Sequence, residues 1–169
     1  RLAVQIMNPE EPLRRDIVGK RGFFEIEAEE LLRRYAAGER KFIGFDLSDI
    51  ELMGVNLSEI DLSESDLSGT DFTNTKLSRA IFTQSLMIGT TFESANLNYA
   101  NLSVCDLTEC DFRWASLINS NLSRSELFTA IFVEANLSGA NFKNASLNVA
   151  DLTQAILIDA DFEGTSLDR

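Results

Sequence analysis

From Phe42 to Leu167 every fifth residue is Leu, Phe or Met, 26 positions in succession without an insertion or an exception. Neither regular secondary structure can bury such a series. On an α-helix a five-residue step turns each apolar side chain about 140° from the last and spreads the set around the whole axis. On a straight strand successive side chains alternate faces, so an odd period sends every second one into water. The pattern predicts a chain that bends once per five residues, with each central side chain aimed at one common axis, which is the organisation of a solenoid.

With the central apolar residue as position i, the flanking positions carry preferences of their own. Position i−2 is small from Ala80 onward (Ser85, Thr90, Ala95, Ala100, Cys105, Cys110) and bulky only in the first coil, at Phe45, Ile50, Val55 and Ile60. Position i−1 favours Asp or Asn and i+1 favours Ser or Thr, residues suited to a chain that keeps turning. Stretches such as Ala95-Asn96-Leu97-Asn98-Tyr99-Ala100-Asn101-Leu102 read as A(D/N)LXX, and residues 41–169 resemble the pentapeptide repeat family. The resemblance implies an all-β fold, a right-handed quadrilateral parallel β-helix with four pentads per coil and positions i and i−2 inside. At roughly 4.8 Å per coil, about 6.5 coils make a rod about 30 Å tall. Sorted on that 20-residue coil, Phe72, Phe92, Phe112 and Phe132 fall in one core column, and Phe42, Phe82, Phe142 and Phe162 in the column facing it. Ring ladders along the core are expected.

Ahead of the array the period changes. Ala28, Leu31, Leu32 and Tyr35 share one face of a short helix, Glu29–Arg33 and Glu30–Arg34 have i,i+4 spacing, and Gly38 can end it. This helix is expected to lie over the open first coil as an N-terminal cap, hiding core side chains and strand edges. Three segments follow: 1–25, extended or irregular and holding Pro9 and Pro12; 26–40, capping helix and connection; and 41–169, the β-helix. No helical segment follows Phe162, which makes an end-to-end homodimer through the C-terminal coil a candidate assembly.

The composition narrows the chemistry. There is no histidine, no Gly-rich phosphate loop, no nucleophile elbow and no metal-ligand spacing, so the chain is read as not an enzyme, with no cofactor and no metal. Cys105 and Cys110 are read as small buried residues, and two unpaired thiols favour a reducing, cytoplasmic setting. No run of 18 apolar residues supplies a membrane span. Charge carries more information: residues 42–169 hold six Lys/Arg against nineteen Asp/Glu, a net −13. A candidate acidic interaction face follows, Asp46, Asp66, Asp106 and Glu126 on one side with Glu51, Asp71, Asp111 and Asp151 on the next. Such a surface repels nucleic acid, so no direct nucleic acid binding is expected. A candidate apolar patch comprises Trp114, Phe128, Ile131 and Val133. The sequence is read as a noncatalytic structural or protein-interaction scaffold whose protein partner it does not identify. The resemblance implies an alternative, a DNA mimic that binds a type II topoisomerase or another DNA-binding protein through its acidic faces.

Overall fold

The backbone amides explain the period of five. In the pentad Thr70–Asn74, Thr70 N–H closes a turn onto Leu67 O at 3.0 Å, Asp71 N–H reaches back one coil to Ile50 O at 2.9 Å, and Phe72 and Asn74 N–H reach forward to Thr91 O and Glu93 O at 2.8 and 2.9 Å. The fifth donor, Thr73 N–H, goes to the Asp71 carboxylate at 2.8 Å. Every amide of the pentad is therefore paired, which a chain folded around a dry core requires. In a computed structural model that describes residues 22–168, the inter-coil backbone bonds recur along the array, and the fifth donor is taken by a side chain where i−1 is Asp or Asn. Its isolated bridges are parallel and join each i−1 residue to the one 20 further on, from Lys41↔Asp61 to Ser146↔Ser166. Four pentads thus complete one coil, and the architecture is a parallel β-helix solenoid with a turn at each of four corners.

Most corners are type II turns. Position i+2 takes a positive φ, 57° at Asn74 and 57° at Trp114, and the residue after it donates back to the carbonyl of i, whereas at Phe45, Ser65 and Cys105 that N–H donates instead to a serine hydroxyl one coil on. All six glycines of the array, at 44, 54, 69, 89, 139 and 164, stand at position i+2. Gly89→Ala is expected to cost at least about 1 kcal/mol through backbone strain alone, since a Cβ there meets nothing within 4 Å. At Gly139 a Cβ would also collide with the Asn119 side-chain carbonyl one coil away. Gly139→Ala should lose about 1 kcal/mol more, and equal urea midpoints for the two variants would show that Asn119 swings aside freely.

Inside, the rings stack. Phe72, Phe92, Phe112 and Phe132 follow one another at 5.2, 5.0 and 4.8 Å with interplanar angles of 7° or less. Phe82 meets Phe92 edge-on at 6.0 Å, as Phe142 meets Phe132, joining the two columns across the axis. The i−2 hydroxyls also tie one coil to the next, Ser85 and Ser125 donating to the carbonyls of Leu62 and Leu102 at 2.7 and 2.6 Å. Cys105 and Cys110 occupy equivalent slots, their thiols donating to Phe82 O and Met87 O at 2.9 and 2.8 Å. Both are free and buried. Burial pushes the Cys105 thiol up to about 12 and Cys110 well above its ordinary value, so both stay protonated and unreactive.

The segment expected to be extended or irregular through residue 25 ends in a strand, β1 (Phe24–Glu25), which pairs in parallel with β2 (Phe45–Asp46). Pro9 and Pro12 lie outside the described residues. Helix α1 (Ala28–Ala36) follows and ends in a Schellman motif, Gly38 N–H to Tyr35 O at 3.0 Å and Glu39 N–H to Arg34 O at 3.1 Å. It buries Leu31 completely and packs Ala28, Leu32 and Tyr35 against the core cluster, with the Tyr35 hydroxyl donating to Ser58 O at 2.8 Å. The i,i+4 pairing does not form. Arg33 bonds Glu30, three residues back, at 2.7 Å. Arg34 turns down onto Phe42 and Phe45, 5.2 and 5.5 Å from their ring centres, and takes Glu39 as its partner. The coil beneath offers Arg34 two aromatic faces that the helix surface lacks.

Candidate interaction surfaces

The outward i−1 side chains form straight ladders, and their register places the acidic candidates. One ladder runs Asp46, Asp66, Leu86, Asp106, Glu126, Ser146 and the next runs Glu51, Asp71, Thr91, Asp111, Ile131, Asp151. These occupy adjacent faces. Counting the turn positions that follow each ladder, these two faces hold thirteen of the nineteen acidic residues in 42–168 and a single base, Arg113. The corner acids Asp49, Glu93, Glu109 and Glu134 are invisible to a reading restricted to i−1; carrying the same 20-residue register through i+1 and i+2 finds them.

Most of these aspartates also hold their own turns together. Asp46, Asp66, Asp106 and Asp111 accept the N–H of the residue two further on at 3.0 to 3.1 Å. Asn56, Asn101, Asn121 and Asn136 accept the equivalent N–H at 3.1 Å, so the turn needs the carbonyl oxygen and not the charge. At Asp151 the Thr153 hydroxyl, and then its N–H, hold the carboxyl below its ordinary value. The charged form fits the turn, so this small contribution is present at neutral pH and fades as pH falls through the lowered value. Part of the charge is compensated locally. Arg113 pairs with Asp111 at 2.6 Å and reaches Glu93 at 3.5 Å, and Lys143 bridges Glu163 and Asp161 at 2.7 and 3.3 Å on another side of the rod.

The apolar candidates lie within the acid-rich region. Ile131 belongs to the second ladder, Phe128 and Val133 stand on the turns at either side of it, and Trp114 N–H donates to Val133 O at 3.1 Å from the preceding coil. Trp114 and Phe128 are 49% and 48% exposed, while Ile131 and Val133 are half-buried. Phe72, Phe92, Phe112 and Phe132 are fully buried beneath and form no part of the surface. Among the described residues no three His, Cys, Asp or Glu side chains converge as a metal site, and no helix is long and apolar enough to cross a membrane.

The family model described as pentapeptide repeats matches residues 46–84, 85–124 and 130–169, in 8 copies. The chain belongs to that family. It is similar to a pentapeptide repeat protein of the Arabidopsis thaliana thylakoid lumen, with 29% identity over 57% of this chain and 68% of that one and a TM-score of 0.47. A pentapeptide repeat protein of the cyanobacterium Cyanothece 51142 is 22% identical over 81% of this chain and 97% of its own, with a TM-score of 0.41. Full-length QnrB1, a plasmid-mediated fluoroquinolone resistance protein, is 20% identical over 86% of this chain and 90% of its own, with a TM-score of 0.38. No curated protein matches the chain significantly.

Proposed function

We propose that the chain is a noncatalytic protein-interaction scaffold, a right-handed rod of about 6.5 coils, capped at its first coil by α1 and displaying a patterned outer surface to a protein partner. One observation carries the reading: an exposed apolar group, Trp114 and Phe128 with Ile131 and Val133, stands within faces that hold thirteen acids and one base. A contiguous exposed apolar group rimmed by charged residues is the mark of a surface that a partner covers. The six i−1 aspartates of the two faces each spend one carboxylate oxygen on a backbone amide of their own turn. A cytoplasmic setting rests on the two free thiols.

Charge segregation also supports the alternative, a DNA mimic that binds a type II topoisomerase, and one experiment separates the two. A scaffold that binds through the patch leaves DNA supercoiling by a bacterial topoisomerase untouched at micromolar protein in dilute salt, and that is the expected result. Inhibition that fades with added salt, and disappears when Asp66, Asp71, Asp106 and Asp111 are changed together to Asn, would replace the scaffold with DNA mimicry. The substitution is a clean probe because Asn already serves the same turns at 56, 101, 121 and 136.

A further inference from the structure

The Ile131–Val133 turn departs from the polar pattern of its own ladder. The equivalent i−1 residues one coil to either side are Asp111 and Asp151, and Asp151 is followed at i+1 by Thr153. There the carboxylates accept the N–H of Arg113 at 3.0 Å and of Thr153 at 2.9 Å. Ile131 gives the Val133 amide no side-chain acceptor, so this pentad trades a turn hydrogen bond for apolar surface. Leu86 makes the same exchange between Asp66 and Asp106 on the adjacent ladder, and the Ile131 turn is set apart by the Phe128, Val133 and Trp114 side chains gathered around it.

What could cover it follows from the charges around it. Asp111 and Asp151 flank Ile131 along the ladder, Glu126 precedes Phe128, Glu109 N–H donates to Phe128 O at 2.9 Å from the coil below, and Glu134 follows Val133. The lone base, Arg113, is held by Asp111 and Glu93 and lies 5.6 Å from the Trp114 ring. An uncharged or acidic segment laid here would desolvate carboxylates without replacing their water, whereas lysine or arginine beside the apolar contact would pair with them. We propose that the stripe formed by Trp114, Phe128, Ile131 and Val133 docks a basic amphipathic segment of a partner protein, one whose large apolar side chains are flanked by Lys or Arg. This inference rests on the scaffold reading and specifies its occupant. Apolar burial supplies the affinity, and the acidic surround supplies selection and rate of encounter.

Trp114, the chain's single tryptophan, reports on the site directly. A designed lysine/leucine helical peptide should shift its emission to the blue and shield it from iodide. A lysine/serine peptide of equal charge and a glutamate/leucine peptide should do neither. The test variants copy neighbouring coils, so the fold tolerates them: Phe128→Thr reproduces Thr108, and Ile131→Asp reproduces Asp111 and Asp151. Together they should weaken lysine/leucine binding about tenfold or more, although they add a negative charge. Tyr99→Asn, at the corner opposite Phe128 and outside the stripe, should change nothing. An unmoved Trp114 emission, equal binding by the lysine/serine peptide, or undiminished binding by the double variant would each overturn the proposal. Failure of the peptides without supercoiling inhibition removes this occupant alone, while supercoiling inhibition by the acidic faces removes the scaffold reading itself.

Discussion

Phe112→Ala is expected to destabilise the protein by about 3–5 kcal/mol, read from the shift of its urea midpoint at unchanged slope. Phe112 is fully buried between Phe92 and Phe132, with ring centres at 5.0 and 4.8 Å and both neighbouring rings nearly parallel to it. The size of the effect depends on whether the void can close. In a packed globular core, helices shift to fill part of a cavity, and the cost falls with the volume that remains. Here each coil is pinned to the next by parallel hydrogen bonds along all four sides, including Phe112 N–H to Ile131 O at 2.7 Å and Asp111 N–H to Thr90 O at 3.0 Å. One coil cannot sink without breaking both of its ladders, so the missing ring stays missing. Phe112→Leu, which matches the leucines of the neighbouring columns, should recover most of the loss. A Phe112→Ala cost under about 1 kcal/mol would mean that the ladder is not rigid, because so small a figure implies a cavity that has refilled.

The rigidity that makes this prediction sharp also made much of the fold legible. A period of five admits few geometries, and once the coil length is 20 residues the outward ladders follow by counting, so the places of Asp66, Asp106 and Ile131 were visible without coordinates. Corner conformation was not read, although its signal was present in the six glycines gathered at i+2. Asn and Asp tolerate the left-handed region and disguise it, and residues such as Val104 and Trp114 are held there by the bonds of the coils on either side. Helix α1 showed a different failure. The spacing of Glu29, Glu30, Arg33 and Arg34 describes an isolated helix, but Arg34 answers to Phe42 and Phe45, which are brought beneath it by a turn of solenoid. For the surface, the sequence distinguishes acidic from apolar positions. It shows less readily that the aspartates are committed to backbone amides, because that role depends on where the N–H two residues later points.

Removing residues 1–40 is expected to convert a well-behaved rod into one that self-associates with rising concentration and melts at lower temperature. The loss would expose the first coil at once. Leu31 is fully buried in the intact chain, Phe24, Ile26, Ala28, Leu32 and Tyr35 pack on the same cluster, and Phe42 and Phe45 lose the guanidinium of Arg34 above them. Backbone exposure matters as much as the apolar area. Phe24 N–H donates to Gly44 O at 2.9 Å, and β1 covers the edge of β2, so truncation opens a parallel edge ready to pair with another chain. Hydrophobic and hydrogen-bonding surfaces then point the same way, which favours stacking of rod upon rod over loose aggregation. Leu31→Asp in the full chain tests the same contact without shortening it. A charge placed where Leu31 is buried should lift α1 from the coil and reproduce the association, while Glu29→Ala on the exposed face should not. Light scattering across a concentration series decides the matter: a truncated protein that stays monomeric and melts unchanged would mean that α1 rests on the first coil without capping it.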